Sequence, residues 1–492
     1  MTQATVASWT VLGVEAVPVE VQADVSAGLP GFTVVGLGDT AVMEARDRVR
    51  AALRAAGYDF PNARVTVNLA PAPLRKHGTG FDLPIALALL AATGQVPRRA
   101  ATDASAVGEL SLDGAVRSVP GLLAHALAAA REHVPLLVAE DALRTIGAVP
   151  GLAAIPLSCL ARLRSGLPNV AAAPEARSTT PTGAPDLAEV HAQPVAKRAL
   201  EIAAAGGLNL LFIGPPGSGK TMLARRLSGI LPALSPEERL ETAVVHSVAG
   251  LDVDPVLAGV RPFRAPHHTA TPAGLVGGGS PPRPGEASLA HNGVLFLDEI
   301  AEFAPAALQA LRQPLEDGWL TLVRAEGRVR YPARFALICA MNPCPCGYLG
   351  DPERPCTCPP AIVERYGRRL GGPLTDRMDM SLRVDRVPPS SLLHRAGEEP
   401  SAAVRDRVVA ARGRALAGEG VSSMLAGAAL LRACALDATA RKAVEDAARI
   451  HRLSGRGITR LLRVARTIAD LAGAPRVLTG HVQEASCYRA LG

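Results

Sequence analysis

Residues 214–221, Gly214-Pro215-Pro216-Gly217-Ser218-Gly219-Lys220-Thr221, have the form G-x-x-x-x-G-K-T, the pattern of a loop that cradles phosphate groups. Glycine gives the backbone the freedom to turn successive N–H groups toward phosphate oxygens. Lys220 is then placed to reach the β and γ phosphates, and the Thr221 hydroxyl to ligate Mg²⁺. Phosphoryl transfer to water also needs a metal-binding acid, a base and a polar group on the attacked phosphate. Asp298 and Glu299, which end the apolar run Val294-Leu295-Phe296-Leu297, offer the first two. Asp298 would hold Mg²⁺ through water, and Glu299 would orient and deprotonate the attacking water. Asn342, at the end of the apolar run 335–341, would hydrogen-bond the γ-phosphate or that water, although a strand-end turn asparagine is its plainer meaning if taken alone. The expected ligands are ATP and Mg²⁺.

Such groups work only if elements bring them together. The run 208–213 is apolar and short, as a buried parallel strand is, and Met222, Leu223, Ala224 and Leu227 have helical spacing. The cradle therefore lies between strand and helix, with the helix dipole aimed at the anion. The runs ending in Asp298 and Asn342 read as further strands that deliver polar groups at their carboxyl ends, where ligands bind in open α/β sheets. Lysine occurs only at 76, 197, 220 and 442 in a chain with 52 Lys plus Arg. That bias reflects coding rather than phosphate binding, and it makes Lys220 informative as a compact point charge.

At 492 residues the chain exceeds the size at which one core keeps growing, so two or three domains are expected. A net charge of +7 favours an acidic partner such as nucleic acid. Eight cysteines suit thiols or metal ligands rather than a disulfide framework. No apolar run reaches the roughly 18 residues of a membrane span, and Met1–Thr10 has no basic start followed by an apolar core. A cytoplasmic location without membrane contact is the expectation.

Residues 1–165 read as mixed α/β. Val17, Val19, Val21, Ala23 and Val25 alternate, as do Val65, Val67 and Leu69, while Val42, Ala45, Val49, Ala52, Leu53 and Ala56 form a helical stripe. Residues 166–186 are small and turn-forming, a predicted linker. Residues 187–387 hold the α/β nucleotide core. Residues 388–492 read as helical, with Ile458, Leu461, Leu462, Ala465, Ile468 and Ala469 on one face behind an N-cap at Ser454. Arg456, Arg460, Arg463 and Arg466 fall on the other face, for solvent, DNA or a neighbouring subunit.

Two stretches interrupt the core. Residues 261–285 are rich in Pro, Gly and His, and His267 and His268 read as loop residues rather than metal ligands, for lack of a paired acid or thiol. Residues 320–330 read as a hairpin turning near Glu326-Gly327. Its Arg324, Arg328 and Arg330 would suit a sugar-phosphate backbone, with a solvated hairpin as the alternative. Beyond Asn342 come Cys344-x-Cys346 and Cys356-x-Cys358, which suit either a closed zinc site or free structural thiols.

The wording Arg75-Lys76-His77-Gly78-Thr79-Gly80 and Gly108-Glu109-Leu110-Ser111-Leu112-Asp113-Gly114 resembles the proteolytic domain of the Lon protease. Gly80 stands where that family has its Ser nucleophile and Leu123 where it has its Lys, so the resemblance implies a Lon-like α/β scaffold without peptidase chemistry. The cradle, the Asp-Glu strand, Asn342, Arg261-Pro262-Phe263-Arg264-Ala265-Pro266-His267-His268 and Cys344-Pro345-Cys346-Gly347 together resemble the magnesium-chelatase-like AAA+ ATPases of the YifB/ComM type. That resemblance implies an α/β fold made of a Lon-protease-like N-terminal domain, a P-loop AAA+ parallel α/β domain and a C-terminal helical lid. It implies a homo-hexameric ring with ATP between subunits, Arg377 as the arginine finger, Arg456 as the sensor arginine of the lid closing over the nucleotide, and a hairpin facing the pore. Gln193 would sit near adenine, in a box reading Val190-His191-Ala192-Gln193 where the family commonly has Val-Arg-Gly-Gln. ComM-type members imply DNA branch migration in natural transformation, on single-stranded or branched DNA. Other expectations are the ATPase subunit of a magnesium chelatase acting on a protein partner, and a nucleotide-switched scaffold.

Overall fold

The computed structural model describes all residues except 1–2, 172–184, 325–326, 371, 389–396 and 490–492, and the side chains at 324, 370, 372 and 373 are likewise outside it. The alternating run around Val21 forms the strand Glu15–Ser26, with Val19, Val21, Ala23 and Val25 buried. It pairs antiparallel with Gln3–Leu12 and with Arg64–Ala70. Val21 stands opposite Leu69, Ala23 opposite Val67 and Val25 opposite Val65, so the apolar faces coincide. The sheet has seven strands in the order Gly31–Val35, Arg64–Ala70, Glu15–Ser26, Gln3–Leu12, Ser105–Ala106, Leu136–Ala139, Ala154–Leu157. Helix Thr40–Ala55 lays its expected stripe into this core, capped by Asp39. Helix Asp82–Ala92 is buried along its whole length. Its one carboxylate, Asp82, accepts from Arg48 Nε at 2.7 Å and Nη2 at 2.9 Å, because a charge taken out of water needs a partner.

The second sheet has five parallel strands in the order Phe263–Arg264, Gly293–Leu297, Phe335–Met341, Leu210–Ile213, Met380–Arg383. Helices on both faces explain why its central strands read as unbroken apolar runs rather than alternations. One face shares a core with helices Pro194–Gly206, Lys220–Ile230, Ser401–Ala417 and Gly455–Leu471. Of these, Ser401–Ala417 packs on Pro194–Gly206 and Lys220–Ile230, and Gly455–Leu471 packs on Pro194–Gly206, so the C-terminal helices join the same core through the helices that lie on the sheet. The other face is covered by residues that include Leu320, Leu322, Val329 and Tyr331 of the hairpin.

The two sheets belong to modules that touch directly. Gly121 N donates to Ser247 O at 2.8 Å and Leu123 N to Ser247 Oγ at 3.4 Å. Leu234, Ala243, Val244, Val253, Val256 and Leu257 enter the core of the first module. Leu123, the position of the Lon-type lysine, is fully buried at this joint. Most of the expected linker, 172–184, lies outside the described residues, but its ends are tied down. Ala171 N donates to Ala154 O at 2.9 Å, and Asp186 Oδ1 accepts from Ser401 N at 2.8 Å.

The arginine row on Gly455–Leu471 is not the free face that the sequence suggested. Arg460 donates to the carbonyls of Thr375 and Met378, Arg463 to that of Leu425, and Arg466 pairs with Asp470 at 2.7 Å inside the core. Backbone carbonyls near helix ends take up these guanidinium donors, a use that helical periodicity cannot distinguish from a solvated stripe. Arg456 stays exposed, and Ser454 caps the helix as expected, accepting from Gly457 N at 3.3 Å.

Candidate active site

Gly217 and Gly219 have φ of +78° and +87°, the left-handed region that disfavours a Cβ. A Cβ at Gly217 would meet nothing within 4 Å, so glycine is needed there for conformation and the cradle is open above it. Helix Lys220–Ile230 starts on the cradle's lysine. Lys220 is 8% exposed, and its Nζ lies 2.7 Å from Gly214 O, 2.9 Å from Pro215 O and 3.3 Å from Asn342 Oδ1. Burial pushes its pKa down to about 8, although Asp298 and Glu299 pull the other way.

Thr221 Oγ1 donates to Asp298 Oδ2 at 2.6 Å. Helix start, Asp-Glu strand and Asn strand thus converge on one spot, which is possible because Leu210–Ile213 and Gly293–Leu297 both flank Phe335–Met341. Glu299 adopts φ +49°, its N–H donates to Asp298 Oδ1 at 3.0 Å, and its side chain remains more than half exposed. A non-glycine residue held left-handed at a strand end is strain of the kind found at reactive sites. His268 Nδ1 lies 3.6 Å from the Glu299 carboxylate, and the His267 and His268 rings are 4.1 Å apart. The sequence places both histidines in a loop and carries no pattern that marks the contact with Glu299. Hydroxyl and carboxylate oxygens side by side are the donors that Mg²⁺ prefers, and the open cradle beside Lys220 suits phosphate. The residues present fit Mg²⁺-ATP.

A cleft of about 540 Å³ continues from the cradle, lined by residues that include Val190, His191, Gln193, Met222, Glu353 and Arg386. Gln193 Nε2 donates to Ser218 O at 2.8 Å and Asp385 O at 3.2 Å. Ala192 and Gln193 have φ of +56° and +63°, which gives a physical reason for the family's usual glycine at position 192.

Arg377 and Arg456 lie elsewhere. Asn209, just before the cradle strand, donates to Arg377 O at 2.9 Å, so Arg377 sits at the amino end of Leu210–Ile213 while the cradle leaves the carboxyl end. Four strand residues separate the two ends by about 13 Å. Arg460, clamped to Thr375 and Met378, carries Arg456 to the same end. Arg456 thus stands close to Arg377. The Arg377 guanidinium pairs with Glu316, and burial, with Arg312 and Arg456 close by, pushes its pKa down. No sequence motif marks Arg312 or Glu316.

The four cysteines 344, 346, 356 and 358 bring their sulfurs within 4.8 Å of one another. Among the described residues no other group of three or more His, Cys, Asp or Glu side chains brings its ligand atoms so close together. Cys339 and Cys434 are buried singly, Cys159 is half-buried and Cys487 exposed. The expected hairpin forms from Trp319–Arg324 and Gly327–Pro332, with Arg324 opposite Gly327. Residues 325–326 of its turn and the Arg324 side chain are outside the described residues. Arg328 and Arg330 are exposed, and the Arg330 guanidinium stands 4.8 Å over the Trp319 ring.

Family models match the chain in three blocks. Residues 186–392 match magnesium chelatase, subunit ChlI; residues 21–141 match subunit ChlI of Mg-chelatase; and residues 398–489 match the C-terminal part of that subunit. Over 497 residues the chain is 45% identical to uncharacterized protein YifB of Salmonella typhimurium, covering 100% of this chain and 98% of the relative. Over 502 residues it is 42% identical to competence protein ComM of Haemophilus influenzae, with coverage of 100% and 98%. The chain belongs to the YifB/ComM family of magnesium-chelatase-like AAA+ ATPases. In this YifB/ComM protein the block matching magnesium chelatase, subunit ChlI, residues 186–392, is the one that holds the cradle, the Asp-Glu strand and Asn342. ATP and Mg²⁺ are the ligands this AAA+ family implies. No helix among the described residues of this family member is long and apolar enough to cross a membrane.

Proposed function

We propose that this YifB/ComM protein hydrolyses ATP at a site shared by neighbouring subunits of a ring and uses the turnover to translocate on or remodel DNA. One observation carries the reading. Lys220, Thr221, Asp298 and Asn342 meet within hydrogen-bond distance, while Arg377 and Arg456 gather with Arg312 at the far end of the same strand. A head-to-tail ring would set that cationic end against the next subunit's cradle. The domain plan proposed with this function is a Lon-like docking domain over 1–165, a linker over 166–186, an AAA+ core over 187–387 and a helical lid over 388–492.

In this scheme the Gly214–Thr221 loop holds the phosphates and Lys220 balances charge on the β and γ groups. Gln193 bounds the adenine end. Bound Mg²⁺ supplies charge neutralisation, held by Thr221 and Asp298. Glu299 accepts the proton of the attacking water, and Asn342 orients that water against the γ-phosphate. Arg377 and Arg456 of one subunit stabilise the charge that develops on the neighbour's phosphate. A closed zinc site at Cys344, Cys346, Cys356 and Cys358 is proposed as a structural element.

DNA enters through the hairpin. Exposed Arg328 and Arg330, with Arg324 beside the turn, suit phosphate contacts that carry no sequence preference. The test is ATPase activity titrated with single-stranded and branched DNA at low salt. Stimulation by either supports the motor; an assembled ring that binds neither contradicts it. A second reading is favoured by the three ChlI matches: a chelatase-type ATPase that remodels a protein partner. Stimulation by a captured protein, with DNA inert, would select it.

A further inference from the structure

The loop 342–359, between the strand Phe335–Met341 and helix Pro360–Gly367, contains neither helix nor strand. Between Cys344 and Cys358 only Cys344 and Gly347 are buried. Burial alone cannot hold a stretch so poor in core. Its sulfurs nevertheless converge: Cys344 to Cys346 is 3.4 Å, and Cys356 is 3.6 Å from each of these. A disulfide would bring two sulfurs to about 2.05 Å. Four sulfurs around a tetrahedral zinc, each about 2.3 Å from it, stand about 3.8 Å apart. The Cys346 N–H lies 3.4 Å from Cys358 Sγ and the Cys358 N–H 3.4 Å from Cys356 Sγ, supporting contacts of the kind that orient metal-bound thiolates.

This lobe is also a wall of the nucleotide cleft. Asn342 lies two residues before Cys344. Gly347, at φ +85°, packs so closely on the cradle that a Cβ would stand 2.6 Å from Pro216 Cδ. Arg383 Nη2 donates to the carbonyls of Gly350 at 2.5 Å and Leu349 at 3.3 Å. Arg386 pairs with Asp351 at 3.1 Å and Glu353 at 3.5 Å, and Arg386 and Glu353 line the cleft itself.

We infer that one zinc ion, held by the thiolates of Cys344, Cys346, Cys356 and Cys358, fixes the wall of the nucleotide cleft, so that occupancy of the metal site controls nucleotide affinity. The inference rests on the reading of this cleft as the ATP site. Zinc folds the lobe, the lobe seats Gly347 on Pro216, and the same lobe holds Arg386 beside the nucleoside end.

The test uses the full chain. Zinc content is measured by elemental analysis, and affinity is measured with a fluorescent ADP analogue before chelation, after chelation and after zinc is restored. About one zinc per chain is expected. Chelation should weaken nucleotide binding about tenfold, the size of losing a few ordered contacts, and restored zinc should recover it. Cys356→Ser should lose both metal and affinity. Gly347→Ala should keep its zinc but still weaken nucleotide binding, because its Cβ displaces Pro216; this variant leaves all four ligands intact and guards against simple misfolding. Absence of bound zinc overturns the metal site. Equal nucleotide affinity in loaded and stripped protein overturns the control. Loaded protein that ignores nucleotide, as Lys220→Ala would, overturns the ATP reading and the coupling with it while leaving the zinc count standing.

Discussion

Replacing Lys220 by methionine should stabilise the nucleotide-free module near neutral pH and remove its response to nucleotide. In the folded chain, burial lowers the lysine pKa from the ordinary 10.5 to about 8. At pH 7 the ammonium is charged in both folded and unfolded states, so the full shift acts against folding, by about 3 kcal/mol at 1.36 kcal/mol per unit. Methionine removes that penalty and also loses the bonds to Gly214 O and Pro215 O, each worth about 1 kcal/mol. The net expectation is a gain of about 1 kcal/mol at pH 7. The sign changes with pH. Between pH 8 and 10.5 the folded wild type holds fewer protons than the unfolded chain, so its stability rises with pH. By pH 9.5 the wild type should have gained about 2 kcal/mol that the variant cannot. Urea unfolding followed through Trp319 fluorescence, with Trp9 replaced by Phe, reads the nucleotide module. A variant less stable than wild type at pH 7, or a difference unmoved between pH 7 and 9.5, would refute the reasoning.

Glu299→Gln keeps the shape but removes the base, so it should bind ATP and assemble with turnover reduced by about a hundredfold or more; wild-type turnover would mean that another group takes the proton. Ala192→Gly should raise thermal stability by about 1 kcal/mol, since φ +56° burdens alanine and not glycine, and a calorimetric scan reads the shift. Arg328→Ala should weaken DNA binding uniformly across sequences and reduce the slope of log affinity against log salt by about 1, checked by fluorescence anisotropy over a salt series.

The strands and helices that position the cradle were legible because their signals are local. Val19 to Val25 alternate because one face of that strand is wet, and Leu210 to Ile213 do not because both faces are covered. Gly217, Gly219 and Lys220 were legible because a phosphate loop restricts residue types strongly. What stayed hidden was set by distant pairing. Arg460 and Arg463 look like a solvent stripe until the carbonyls of Thr375, Met378 and Leu425 appear beneath them. His268 meets Glu299, and Glu316 meets Arg377, across 31 and 61 residues of chain, separations over which no periodicity carries information. The place of Arg456 beside Arg377 stayed hidden too, because it depends on Arg460, one helical turn on, reaching the carbonyls of Thr375 and Met378.

Mixing two inactive variants shows whether one subunit's Lys220 works with the next subunit's Arg377. Lys220→Ala and Arg377→Ala should each lose turnover alone. Mixed in equal amounts and allowed to reassemble, about one quarter of the head-to-tail interfaces pair an intact cradle with an intact arginine, so ATP turnover should return to roughly that fraction of wild type. Mixtures as inactive as their components, or an Arg377→Ala protein that turns over ATP normally by itself, would mean that the site is not shared between subunits.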